Sequence, residues 1–106
     1  MSDDNQAIRL NPKDADAYNN RGIVRKKLGD KQGAVEDDTQ AIRLNPKDAL
    51  AYYNQGNTRG ELGDKPGALA DLQQAAKLAQ QQGNTDLYRK IQELIKANFL
   101  LPPSRP

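Results

Sequence analysis

Apolar and small residues recur along the chain at steps of three or four positions, in segments separated by short runs that contain glycine or proline. In the first long segment, Tyr18, Gly22, Arg25 and Leu28 follow this spacing, which places their side chains on one face of an α-helix. The same periodicity returns further along the chain. The pattern therefore predicts helices over residues 15–28, 31–44, 49–62, 66–82 and 85–100.

Residues at the ends of these segments are those that start and stop helices. Asp14 precedes the first long helix and is suited to cap its free N–H groups. Gly29 predicts a left-handed helix end, and Asp30 can cap the helix that follows. Pro46 cannot donate a hydrogen bond into a continuing helix, so it marks a boundary. The sequence thus predicts helices joined by short turns.

A repeat with a period of 34 residues underlies this pattern. The segment DDNQAIRLNPKD at 3–14 returns at 37–48 with 11 of 12 positions unchanged, and 15–48 aligns with 49–82 without a gap at 16 identities in 34 positions. A fixed period of this kind predicts a stacked array in which each unit buries its apolar face against its neighbours. We divide the chain into the second helix of a truncated repeat (1–14), two full units (15–48 and 49–82), a C-terminal capping helix (83–100) and a disordered tail (101–106).

Within each unit the order of residue types is an aromatic, a glycine four positions later, a Gly-Asp turn, two alanines and, in the first unit, a closing proline. This order resembles the tetratricopeptide repeat family. The resemblance implies an all-α fold, a right-handed superhelical solenoid of antiparallel helix-turn-helix repeats. The residues that carry it, and that we expect to pack the repeats, are Tyr18, Gly22, Ala34, Ala41, Pro46, Tyr52, Gly56, Ala68 and Ala75.

Several positions depart from the family pattern. Asp38, and Asp4 in the partial repeat, stand where the family usually has a large apolar or aromatic residue, whereas Leu72 keeps the family type. An acidic residue at a packed position costs stability unless solvent or a cation reaches it. In addition, arginines replace a usual tyrosine, and an aspartate follows each by 12 residues. We expect salt bridges Arg25–Asp37 and Arg59–Asp71, with Asp38 sharing Arg25.

The resemblance also implies a concave surface lined by the first helix of each unit. It suggests a groove for an extended peptide or a helix, in which asparagine amides hold the peptide backbone and Tyr53 supplies apolar area. The alternative is a solvated polar face. The candidate groove residues are Asn19, Asn20, Ile23, Lys26, Tyr53, Asn54, Asn57 and Tyr88.

One branch of the family clamps the C-terminal carboxylate of chaperones with lysine, asparagine and arginine side chains. Asn54 fits that pattern, but Asn19 and Ile23 stand where lysine and asparagine would be needed. The sequence therefore argues against this clamp. Lys26 and Lys27 still favour an acidic ligand, with a modest energy at an exposed site.

The amino-acid composition excludes several kinds of catalytic and metal-binding site. The chain has no histidine and no cysteine, so it has no imidazole base, no thiol nucleophile and no histidine or cysteine metal ligand. We expect no enzymatic activity, no cofactor and no metal. The formal net charge of +2, spread along the chain, indicates neither nucleic acid nor membrane as partner. A cytoplasmic location is the default expectation.

Two functions remain in competition. The first is a non-catalytic interaction module that binds a protein or peptide partner in the concave groove. The second is self-assembly into a homo-oligomer through residues 3–14, because that partial repeat lacks its own first helix and Ile8 and Leu10 would form an uncovered apolar face. A helix of this length is marginal alone in water, so it must either lie on helix 15–28 or contact another molecule. End-to-end stacking, domain exchange or fraying would each resolve the open face.

Overall fold

The computed structural model describes residues 2–100, and within this range the chain forms helices and turns only. The elements are α1 (Ser2–Leu10), α2 (Ala15–Lys27), α3 (Lys31–Leu44), α4 (Ala49–Glu61), α5 (Lys65–Gln81), α6 (Thr85–Ile95) and a π-helical turn (Lys96–Leu100). Consecutive helices pack against each other along the chain. The predicted all-α superhelical solenoid is confirmed.

Side-chain caps fix the start of each helix from α2 onwards. In each case a carboxylate or amide oxygen accepts a hydrogen bond from a backbone N–H three residues later, at 2.9–3.2 Å. The capping residues are Asp14, Asp30, Asp48, Asp64 and Asn84. The predicted caps at Asp14 and Asp30 are therefore confirmed.

Glycines form the left-handed ends of the first helix in each hairpin. Gly29 and Gly63 have φ angles of +93° and +90°, a region that side chains with a Cβ rarely enter. This tight end lets α3 fold back on α2, and α5 on α4. The left-handed conformation predicted for Gly29 is thus confirmed.

Small residues allow the two helices of each hairpin to approach closely. Ala34, Ala41, Ala68 and Ala75 are at most 1% exposed. A Cβ added to Gly56 would lie 2.9 Å from Leu72 Cγ, closer than real Cβ contacts. The lean core therefore results from close backbone packing, and larger apolar side chains, such as those of Leu72, Ile91 and Ile95, enter it mainly near the C-terminal end.

The C-terminal part differs from the prediction in one respect. Helix α5 has 17 residues against 14 in α3, in line with the absence of a proline equivalent to Pro46. The last helix, however, was predicted over 85–100, and its α-helical part ends at Ile95. The Asn98 side chain donates to the Leu94 carbonyl at 3.0 Å, a bond that competes with the regular backbone ladder. The tail predicted at 101–106 lies outside the described residues.

Hydrogen bonds between side chains join one unit to the next. The Asn54 amide donates to Asn19 Oδ1, and the Asn19 amide donates to Asp48 Oδ2, both at 3.3 Å. Gln55 donates to Thr39 Oγ1 at 2.6 Å, which ties α4 to α3. The stack is therefore held by polar contacts as well as by buried alanines.

Candidate binding groove

Two cavities occupy equivalent positions in the two units. We call the first the Asp38 cavity; it has a volume of about 350 Å³ and is lined by Gly22, Ile23, Lys26, Lys27, Asp38, Asn54, Thr58 and Glu61. We call the second the Leu72 cavity; it has a volume of about 270 Å³ and is lined by Gly56, Asn57, Gly60, Glu61, Lys65, Ala68, Leu72, Leu94, Asn98 and Phe99. Glu61 borders both, so the cavities adjoin and form one groove.

The 34-residue period relates the two cavities residue by residue. Gly22 in the first corresponds to Gly56 in the second, and Asp38 corresponds to Leu72. The walls differ, because α4 closes the Asp38 cavity while α6 and the π-helical turn close the Leu72 cavity. The two cavities thus share a backbone framework but differ in the side chain at equivalent positions, an aspartate in one and a leucine in the other.

The Leu72 cavity has an apolar floor. Leu72 is 1% exposed and would lie within 3.1 Å of a Cβ at Gly56, so its side chain fills the space above that glycine. Leu94 and Phe99 form the opposite wall and pack against the main core. This cavity is therefore suited to an aliphatic or aromatic side chain.

The Asp38 cavity has a carboxyl group at its floor. Asp38 is 2% exposed, and no described residue forms a hydrogen bond with its Oδ1 atom. Burial, reinforced by the negative charges of Asp37 and Asp48, raises the pKa of Asp38 from its ordinary 3.8 to about 7, while Lys26 opposes the shift. The expectation that Asp38 shares Arg25 is wrong, because the Arg25 guanidinium bonds to the adjacent Asp37.

The predicted salt bridges across each hairpin are present, and the first has an additional partner. Arg25 Nη1 lies 3.2 Å from Asp37 Oδ1, and Arg59 Nη1 lies 2.9 Å from Asp71 Oδ2. Burial raises the pKa of Asp71, and Arg59 partly offsets that effect.

The additional partner is Arg21. It donates to both oxygens of Asp37, at 3.0 Å from Nε and 2.8 Å from Nη2, and these hydrogen bonds raise the pKa of the Arg21 guanidinium. The sequence did not indicate this contact because Gln55 occupies the equivalent position in the second unit. Arg21 precedes Arg25 by four residues, and side chains at that spacing share a helix face. This spacing was the signal that both arginines could reach Asp37.

At the rim of the groove, Glu61 forms ion pairs with two lysines. Lys26 and Lys31 lie 3.3 Å and 3.4 Å from the Glu61 carboxylate. Burial acts to raise the pKa of Glu61, but hydrogen bonds from the two lysines outweigh it and lower the pKa overall. Glu61 therefore stays ionised where the two cavities meet and holds the Lys26 ammonium at the rim.

The structure brings four of the eight candidate groove residues into these cavities. Ile23, Lys26 and Asn54 line the first, and Asn57 lines the second. Sequence reasoning did not select Thr58 or Glu61 as groove residues, and it treated Asp38 only as a packing exception.

The other four candidates lie elsewhere. Asn19 is 7% exposed and both of its amide atoms are engaged between units. Asn20 is exposed and lines neither cavity, and the Tyr53 ring lies 5.9 Å from the Lys90 ammonium. Tyr88 borders a separate cavity with residues of α5.

Two further observations concern residues 2–100 as a whole. In this range no three histidine, cysteine, aspartate or glutamate side chains gather in a way that could hold a metal ion. None of the helices there is both long and apolar enough to cross a membrane.

Family models match two parts of the chain. A model described as a TPR repeat matches residues 5–29, and one described as a tetratricopeptide repeat matches residues 39–70. Together the two matches cover more than half of the chain. The search of curated proteins found no match.

Solved structures share the fold. A crystal structure of MamA is 26% identical over 76% of this chain and 47% of its own, with a TM-score of 0.73. A second MamA structure is 24% identical over 96% of this chain and 48% of its own, with a TM-score of 0.67. The TPR2B domain of yeast Sti1, in complex with pHsp70, is 24% identical over 86% of this chain and 78% of its own, with a TM-score of 0.74. The chain thus spans about half the length of the MamA structures.

Proposed function

Because the chain belongs to the tetratricopeptide repeat family, we propose that it is a non-catalytic interaction module that holds a peptide in the groove formed by the Asp38 and Leu72 cavities. Domains of this family bind protein or peptide partners. The observation that carries the proposal is the repetition of a cavity at the same position of two consecutive units. A row of adjoining cavities suits a peptide that places one side chain in each.

The polar groups around the groove support this mode of binding. Asn54 and Asn57 each contribute an amide to a cavity wall, and the Asn54 amide already donates one of its two N–H groups to Asn19. An amide both donates and accepts hydrogen bonds, as a peptide backbone requires. The Leu72 cavity would take an apolar anchor, while the amides would fix the direction of the chain. The TPR2B domain of yeast Sti1, which shares this fold, forms a complex with pHsp70; the choice of the groove as binding surface rests on the two cavities of this chain.

Selection from a displayed peptide library tests this proposal. Enriched peptides, synthesised and titrated by calorimetry, are expected to bind the unmodified chain and to lose affinity about tenfold or more in the double variant Ile23→Ala, Asn57→Ala. The matched control is Gln32→Ala, an exposed side chain on α3 outside both cavities, which should leave affinity unchanged. The proposal fails if no peptide is enriched, or if enriched peptides bind the double variant as tightly as the unmodified chain.

Self-association through residues 3–14 is a second candidate function, and the exposure of α1 favours it. Leu10 is 75% exposed, and Leu28 at the end of α2 is 72% exposed. Helix α1 lies on α2, where Arg21 donates to Asn5 Oδ1 at 3.2 Å. Of the two residues expected to form an uncovered apolar face, Ile8 is half-buried and Leu10 is exposed. The two leucines offer apolar area for such a contact.

Light scattering over a concentration series tests the second candidate. We expect the mass to rise with concentration in the unmodified chain and to stay at the monomer value in Leu10→Ser. An exposed residue on another helix, in the variant Gln73→Ser, provides the control. Weak contacts have dissociation constants of about 1 mM. A monomer mass that stays constant up to about that concentration would therefore refute self-assembly.

A further inference from the structure

Among the side chains that the structure describes, Asp38 has the one buried polar atom that lacks a hydrogen-bond partner. It stands where the second unit has Leu72, it is 2% exposed, and its Oδ1 atom has no hydrogen-bond partner among the described residues. A Cβ added to Gly22 would lie 3.0 Å from that oxygen, so the carboxyl group lies directly against the glycine that borders the cavity. A buried acceptor without a donor is costly, and a ligand that supplies the donor removes the cost.

We propose that the Asp38 cavity is a subsite for one primary ammonium group on an aliphatic chain, supplied by a lysine side chain of the bound peptide. The inference rests on the proposed peptide-binding function and names the chemistry of one of its two cavities. An ammonium group carries three donors and no acceptor, which matches a carboxylate that lacks donors. Hydrogen bonds between charged groups are the stronger kind, so the pairing favours a charged donor over a neutral amide.

The walls of the cavity suit the stem of a lysine. Ile23 on α2 and Thr58 on α4 line the cavity, and Gly22 adds no side chain that would narrow the path. The volume of about 350 Å³ accommodates a flexible four-carbon stem. The stem would thus contact apolar surface while its charged tip reaches the floor.

Charges on the neighbouring helices favour a cation at this floor. Asp37 on α3, Asp48 at the start of α4 and Asp71 on α5 all place negative charge near Asp38, and Lys26 on α2 is the opposing positive charge. Glu61 holds the Lys26 ammonium at the rim, at 3.3 Å.

Lys27 is the other lysine that lines the cavity, and it is exposed to solvent. Its charge is screened by water and salt to a greater degree than that of the buried carboxylate. The cavity lining thus carries two lysines against the carboxyl groups of Asp38 and Glu61, and the lysines at the rim weaken the attraction for a cation.

Binding at this subsite should depend on pH. The pKa of Asp38 is about 7 in the folded chain, whereas a lysine ammonium stays charged throughout this range. Since the ionised carboxylate is the form that binds a cation, affinity should fall about thirtyfold between pH 8.5 and pH 5.5, in proportion to the ionised fraction. Arg21 and Arg59 hold Asp37 and Asp71 in ion pairs at 2.8 Å and 2.9 Å, so neither carboxylate is free to take the place of Asp38 as the partner of the ammonium group.

Titration of the full chain with N-acetyl-lysine N-methylamide, followed by amide NMR at pH 8.5, tests the subsite. We expect shifts in the resonances of Gly22, Asp38 and Thr58, and none in those of Gly56 and Phe99, which line the Leu72 cavity. The norleucine analogue has a similar stem without the ammonium and should give no shift at Asp38. In Asp38→Asn the affinity for the lysine compound should fall about tenfold or more, as expected for the loss of a charged hydrogen bond. Equal responses to the two compounds in the unmodified chain would overturn the subsite without reliance on any variant.

A second arm identifies the source of the ammonium group and separates this inference from the proposed function. Butylammonium is expected to bind more weakly than the lysine compound, because it lacks the backbone amides that Asn54 can contact; equal binding would overturn the assignment to a peptide lysine. Peptides selected on the groove should lose affinity when their lysine is replaced by norleucine. If such peptides bind the groove but tolerate this replacement, the subsite is refuted and peptide binding stands. If no peptide binds while the lysine compound does, the proposed function fails instead.

Discussion

Replacing Asp38 with leucine is expected to raise the free energy of unfolding by about 3 kcal/mol at pH 8, since a leucine side chain would be buried and an unpaired carboxylate removed. The second unit supplies the model for this change, because Leu72 occupies the equivalent position above Gly56. For a domain of this size the change corresponds to a rise in the melting temperature of roughly 10 °C or more. Urea denaturation and thermal unfolding followed by circular dichroism would measure it.

The same substitution should change how stability depends on pH. The pKa of Asp38 is raised to about 7 in the folded chain from an ordinary value of 3.8, so between these values the folded state binds a proton that the unfolded state has released. The stability that this proton contributes is fully present below about pH 4, is lost as the pH rises through 7, and is absent above about pH 8. In the unmodified chain stability should therefore decline across this window, by up to about 4 kcal/mol. In Asp38→Leu this decline should be absent.

Asp38→Asn is the matched control, because it removes the charge and leaves the cavity unfilled. It should remove most of the pH-dependent decline and give a smaller gain at pH 8 than leucine gives. A variant Asp38→Leu that is less stable than the unmodified chain at pH 8 would contradict the prediction. That result would mean that the cavity beneath α4 does not accept the leucine side chain.

The reciprocal change, Leu72→Asp, is expected to lower the free energy of unfolding by about 5 kcal/mol at pH 8, the sum of a lost buried leucine and a newly buried acid. Leu72 is 1% exposed and belongs to the main core, which extends to Ile91 and Ile95. Since a natural domain has only about 5–15 kcal/mol of stability, this loss should leave much of the chain unfolded. Circular dichroism at 25 °C and urea denaturation would detect the loss of helix.

Leu72→Ala separates the two causes of this loss. It should cost about 2–5 kcal/mol through the cavity that it leaves, with no change in the pH dependence. Leu72→Asp should in addition recover stability as the pH is lowered towards 4, because the new carboxyl group then becomes neutral. If the two variants were equally stable at pH 8, burial of the charge would contribute nothing and the explanation given for Asp38 would lose its support.

Most of the helical architecture could be predicted because it depends on short-range signals. Gly29 and the capping aspartates act on residues within one turn, and the exact repeat of 34 residues placed the later helices by analogy with the earlier ones. The end of the last helix was missed for the opposite reason. A side-chain hydrogen bond from Asn98 to the Leu94 carbonyl accompanies the π-helical turn, and no repeated segment offered a precedent.

The candidate site was harder to predict, because it depends on which side chains meet across units. The repeat identified Ile23 and Asn57 as equivalent positions, and both border cavities. It could not show that both amide atoms of Asn19 are engaged, one by Asp48 at the end of the same unit and the other by Asn54 of the next unit. At the floor of the Asp38 cavity, the sequence indicated only that an aspartate occupies a position usually packed with an apolar residue. A residue type alone does not reveal whether a hydrogen-bond partner for the carboxyl group lies within reach.

The contact between Asn19 and Asp48 has a consequence for the order in which the chain acquires its structure. One oxygen of Asp48 caps α4 by accepting from the Ala51 N–H at 3.0 Å, and the other accepts from the Asn19 amide on α2. The start of the second unit is thus completed by a side chain from the first. A ribosome releases α2 before α4, so Asn19 would already be present when Asp48 and the first turn of α4 emerge.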